Sequence, residues 1–172
     1  MTEFLKEEFL TSSLNGALQR AGIYAENATP KQRKDFREAM RSALRQFGER
    51  YKSEVLPRDH VDNIRKLAEI SQNPRFRDFM MDRRPRIGMA QKALNLYLKY
   101  LWCVGEAHTP PHCPFDSRII SHLPPEKRRN WTEITDVKEY ESLVTDSTET
   151  MKQDKFSSLS EWELEKWQRE DP

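Results

Sequence analysis

Ile87-Gly-Met-Ala-Gln-Lys92-Ala-Leu-Asn-Leu-Tyr97-Leu-Lys99-Tyr100-Leu-Trp102 is the stretch that decides the fold. Ile87, Ala90, Leu94, Tyr97, Leu98 and Leu101 recur at three- and four-residue steps, so residues 86–104 form a helix with a broad apolar face. Arg84-Pro85 sets its start, because a residue before proline disfavours helical backbone. Gly105 and Pro110-Pro111 end it. Downstream, Pro114-Phe-Asp116-Ser-Arg-Ile-Ile120 places an aspartate at the head of a helix over 117–123, where its carboxylate accepts from the free amides of the first turn. A lysine and a carboxylate therefore arrive on consecutive helices.

The same periodicity extends outward. Phe4, Leu5, Phe9, Leu10, Leu14, Ala17 and Leu18 predict a helix over 3–21, stopped by Gly22. Thr29-Pro30 opens a helix to about Tyr51, with Phe36, Met40, Leu44 and Phe47 on one face and Lys31, Arg33, Lys34, Arg37, Arg41 and Arg45 on the other. Beyond Pro57, residues 59–71 form a third helix, and Asn73-Pro74 opens a short turn leading into the arginine-rich segment 75–86. Asp136-Val-Lys-Glu139 is a capping box for a helix through about Leu143, residues 145–157 are polar and expected to be mobile, and Ser158-Leu-Ser-Glu161 caps a last helix. Its Trp162 and Trp167, five apart, straddle a face, which predicts weak docking or a partner contact. The fold class is all-α, a compact bundle of about six to eight helices, with a helical domain over 1–144 and an acidic tail over 145–172.

Composition narrows the function classes. Five glycines and 33% charged residues favour helices over a sandwich or barrel. No apolar run approaches the ~20 residues of a membrane span, and no signal peptide is evident. Two cysteines make no disulfide framework, so a cytoplasmic setting is expected. The net charge of +1 hides an asymmetry: residues 1–130 carry 24 Lys+Arg against 16 Asp+Glu, and residues 131–172 carry 5 against 12. A basic body with an acidic tail points to a polyanion partner, with the tail competing for the same face.

Lys92 lies a turn and a half inside its helix, where the helix dipole and apolar neighbours both favour the neutral amine, a nucleophile toward electron-poor carbon. Asp116, held ionised by helix amides, is placed to stabilise a developing cation or orient a water. Solvation of the helix by Lys92 and Lys99, and simple capping by Asp116, are the structural alternatives. The combination of a helix bearing an early lysine, a connecting loop, and the run Pro114-Phe-Asp116-Ser-Arg-Ile-Ile120 resembles the core of the helix–hairpin–helix DNA glycosylases, including the 8-oxoguanine branch.

That resemblance implies a helix–hairpin–helix-like core with its turn at Arg84-Pro-Arg-Ile-Gly88, and catalytic roles for Lys92 and Asp116. DNA contacts would come from Arg83, Arg84, Arg86, Gly88, Arg118, Lys127 and Arg128, with Gly88 standing where the family's hairpins carry two glycines. Tyr97, Phe115 and His112 would border the base pocket, and Tyr100 and Trp102 are further stacking candidates, although aromatics at helical spacing are more often core. The implied activity is extrusion and excision of a damaged or modified base from duplex DNA, with no cofactor. Cys103, His108, His112 and Cys113 have zinc-ligand chemistry, but adjacent His112-Cys113 fits one ion poorly, so no metal is expected. The alternatives are a non-catalytic helical module binding nucleic acid or, through the tail, a protein, and a different helical enzyme using the histidine loop.

Overall fold

The computed structural model describes residues 2–167; residues 168–172 of the expected tail lie outside the described residues. The chain folds into α1 (Glu3–Leu18), α2 (Pro30–Arg50), α3 (Pro57–Glu69), α4 (Ile87–Cys103), α5 (Ser117–Ile120), α6 (Val137–Gln153) and α7 (Leu159–Lys166), with short 3-10 turns between them. The fold is all-α.

The central element is α4, which packs against α1, α2, α3 and α6. Its apolar residues cover most of its circumference, as a helix enclosed by neighbours requires. Even its polar Gln91, Lys92, Asn95 and Lys99 are buried. Each buried polar group then needs a partner. Gln91 Nε2 donates to the Phe115 carbonyl (2.7 Å) and Gln91 Oε1 accepts from the Phe115 amide (3.2 Å), while Asn95 Nδ2 donates to the Cys113 carbonyl (2.8 Å). Two amide side chains one turn apart thus hold the 113–115 segment along α4.

Helix starts follow the sequence. Thr29 and Gln32 form a reciprocal capping box on α2, and Asp116, Asp136 and Ser158 cap α5, α6 and α7. Three expectations change. α6 does not stop near Leu143 but continues to Gln153, across the 144/145 boundary, because Ser147 and Met151 extend its buried face. The following helix is no loose tail: Trp162 is fully buried and its Nε1 donates to Asp154 (2.8 Å). Nor does an α-helix lead into the 84–88 turn. After α3 the chain makes 3-10 turns at Ile70–Gln72 and Arg77–Phe79, and an isolated bridge pairs Met80 with Tyr24.

Candidate functional site

Lys92 and Asp116 meet. Nζ stands 3.3 Å from Asp116 Oδ2 and 4.5 Å from the centre of the Trp131 ring. The other carboxylate oxygen accepts from the amides of Arg118 (3.0 Å) and Ile119 (3.2 Å), which fixes Asp116 at the head of α5. Gln91 sets the approach by gripping Phe115, the residue just before Asp116.

Both groups open into one cleft of about 260 Å³, lined also by Gly16, Gln19, Arg20, Ser117, Arg118 and Trp167. Among the described residues, Arg20, Lys92 and Arg118 line this cleft together with the Asp116 carboxylate. An amine held between a carboxylate and an indole face has the partners of an ammonium ion.

Seven residues along α4, Lys99 repeats the arrangement: Nζ lies 2.8 Å from Glu163 and 4.8 Å from the Trp167 ring centre. Burial pushes the Glu163 carboxyl above its ordinary range, with Lys99 pulling it back. Through this pair α7 is seated beside the cleft, and Trp167 closes one wall. Sequence reading missed Arg20, Trp131, Glu163 and the positioning amides Gln91 and Asn95. The legible signal was Gln91 and Asn95, two amides four apart inside an otherwise apolar helix.

The remaining expected site residues lie elsewhere. Of the DNA-contact set, Arg118 alone lines the cleft. Arg83 and Arg84 are exposed, and Arg84 pairs with Asp82 (3.1 Å). Arg86 is buried beside the same carboxylate (3.6 Å), and the Gly88 amide donates to the Ile134 carbonyl (2.9 Å), so neither is open to a phosphate. Lys127 is held by Glu149 (2.6 Å) and Asp146 (3.3 Å) on α6, and Arg128 Nε donates to the Leu123 carbonyl (2.8 Å). Asp146 and Glu149 of α6 therefore pair with Lys127 and Arg129 as part of the fold. The base-pocket set is also corrected: Tyr97 is buried against Gly48 and Phe115 is fully buried. Tyr100 stacks on Phe9, and Trp102 borders a separate hollow with His108. Cys103 is exposed while Cys113 is fully buried, and among the described residues no three metal-ligating groups gather.

His112 belongs to a buried polar chain. Its Nδ1 lies 2.9 Å from the Tyr140 hydroxyl, and its ring meets His60 edge to face at 4.7 Å. His60 Nδ1 lies 2.6 Å from the Tyr51 hydroxyl, which accepts from Asn63 Nδ2 at 3.1 Å. Burial pushes His112 down to about 4 from an ordinary 6.5, and pushes His60 well below that ordinary value. The folded state refuses a proton that the unfolded chain accepts. The stabilisation is whole above pH 6.5 and is lost as the pH falls toward about 4, by roughly 3 kcal/mol for His112. Urea midpoints measured across this window are expected to fall in the wild type and to fall less steeply in His112→Gln; equal slopes would remove His112 as the source of acid lability.

Comparison of the chain with family models, curated proteins and solved structures returns no match.

Proposed function

We propose that this chain is a DNA glycosylase-like enzyme acting on an extruded nucleotide at the Lys92–Asp116 cleft. The observation that carries the reading is the 3.3 Å approach of amine and carboxylate inside an open, cation-rimmed cleft. Asp116, held by two amides, stabilises positive charge on the sugar as its bond to the base breaks. The proton on Lys92 passes to the departing base nitrogen, and the amine so freed bonds to the sugar carbon, giving an imine after ring opening. Arg20, on the cleft lining, offers charge to a flanking phosphate.

Borohydride trapping on a duplex with an abasic site tests this. A covalent adduct is expected with the wild type and with Lys34→Ala, an exposed control on α2, and none with Lys92→Ala. Lys99→Ala is unsuitable as a control because it would strand Glu163. Base release from a modified duplex is expected to fall about 100-fold or more in Asp116→Asn. No adduct and no base release from any duplex would remove the enzymatic reading.

A second reading, a non-catalytic nucleic-acid- or protein-binding module, draws on the enclosed Gly88 amide and buried Arg86, which leave the hairpin no phosphate grip. Exposed Leu164 and Trp167 on the terminal helix suit a protein partner. Saturable duplex binding without adduct or base release would favour it.

A further inference from the structure

Several arginines of α2, α3 and the segment after α3 are spent on carboxylates, whereas Arg50 donates to Asn63 Oδ1 (2.9 Å). Arg41 and Arg45 both pair with Glu7, Arg65 bridges Asp62 and Glu69, and Arg75, between α3 and α4, pairs with Asp35. Among the described residues, Arg33 and Arg37, one turn apart on α2, share Arg50's lack of a carboxylate partner but differ from it in lining one hollow together. Arg33 Nε donates to the Ala28 carbonyl (3.2 Å) with its guanidinium 5.2 Å from the Tyr24 ring centre, and Arg37 donates to Asn15 Oδ1 (2.6 Å). Neutral acceptors hold both in place and leave their charge unmatched; among the described residues neither has an ion pair.

The two guanidinium groups line one hollow of about 340 Å³ with Asn15, Gln19 and Tyr24, and among the described residues no carboxylate lines it. The Tyr24 hydroxyl is buried there without a hydrogen-bond partner. The carbonyl end of α1 adds roughly half a negative charge, which two full positive charges outweigh. Gln19 also lines the Lys92–Asp116 cleft, so the hollow and the cleft are neighbours along the last turn of α1.

We propose that Arg33, Arg37 and Tyr24 form a phosphate subsite that grips the phosphodiester backbone of a nucleic-acid strand running past Gln19 into the Lys92 cleft. The identity of the strand rests on the excision reading; the anion site rests on the unmatched arginines alone. A flat guanidinium pair one turn apart suits a tetrahedral dianion or a phosphodiester, each group giving parallel N–H donors.

The test is binding of a fluorescent single-stranded oligonucleotide over a salt series. Removing one cation that neutralises a phosphate reduces the slope of log affinity against log salt by about 0.7 for a single strand. Arg33→Gln/Arg37→Gln is expected to reduce that slope by about 1.4 and to weaken binding at low salt by tenfold or more. Arg33→Lys/Arg37→Lys keeps the charge and is expected to retain most of the slope, which separates charge from folding. Lys31→Gln/Lys34→Gln removes two exposed charges from the same helix away from the hollow and is expected to change little. Equal losses in the two glutamine pairs, or an unchanged slope in the arginine pair, would overturn the subsite. Competition by tripolyphosphate that depends on Arg33 and Arg37, with no oligonucleotide binding, would replace the strand by a free phosphate ligand and overturn the strand assignment. Failure of borohydride trapping leaves these outcomes readable, because none involves Lys92 chemistry.

Discussion

Gly88→Ala is expected to melt well below the wild type. A Cβ built on Gly88 overlaps the Trp131 carbonyl oxygen, and lies 2.9 Å from the Trp131 carbonyl carbon and 3.4 Å from Ile134 Cβ. Two of these obstacles are backbone, so no rotamer change relieves the clash. The 131–134 turn has to move off α4, breaking the bond from the Gly88 amide to the Ile134 carbonyl and unseating fully buried Ile134. Overpacking costs about 1–3 kcal/mol and a stranded buried amide a similar amount. Against a native margin of about 5–15 kcal/mol this is severe, and the melting temperature is expected to drop by on the order of 10 °C. Gly22→Ala is the comparison: its φ is +53 with nothing within 4 Å of a new Cβ, so it meets backbone strain alone, about 1–2 kcal/mol. A thermal melt placing Gly88→Ala at or above Gly22→Ala would refute the close approach. Gly88 is thus needed for packing, and moving Trp131 would also disturb the face on which Lys92 rests.

Lys99→Met is expected to be the most damaging of the charge removals. It leaves the Glu163 carboxylate, 2% exposed, without its counter-ion. Breaking one side of a buried pair costs about 3–5 kcal/mol, whereas replacing both members by apolar groups of similar size is often neutral or better. The double variant Lys99→Met/Glu163→Leu is therefore expected to recover most of the stability lost by either single change, as read from urea midpoints. Single variants that unfold like the wild type would mean that α7 is held by its other contacts, among them Trp162 with Asp154 and Ser160 with the Pro110 carbonyl. The same comparison bears on the cleft, since α7 carries the Trp167 wall.

The helices are legible because their determinants are local. Thr29 and Pro30, the cap residues Asp116, Asp136 and Ser158, and the three-and-four spacing of apolar residues act within a turn or two of where they stand. Consecutive helices make the meeting of Lys92 with Asp116 possible. What brings it about is the grip of Gln91 and Asn95 on the 113–115 backbone. The errors have one origin. A basic or aromatic residue looks the same in sequence whether its side chain meets solvent, a carboxylate or the core. Sequence reasoning therefore assigns Arg86, Lys127 and His112 DNA or base contacts that their burial and partners deny them.

By itself the sequence determined an all-helical chain, the starts of its helices and the order in which a lysine and an aspartate are presented. Tertiary packing alone decided which charges remain unmatched. Glu7, Asp146 and Glu163 lie far in sequence from the cations they neutralise, and among the described residues the folded arrangement leaves Arg33 and Arg37, side by side in one hollow, without such partners. The reason is that pairing depends on distances of a few ångströms between elements, which local periodicity does not encode.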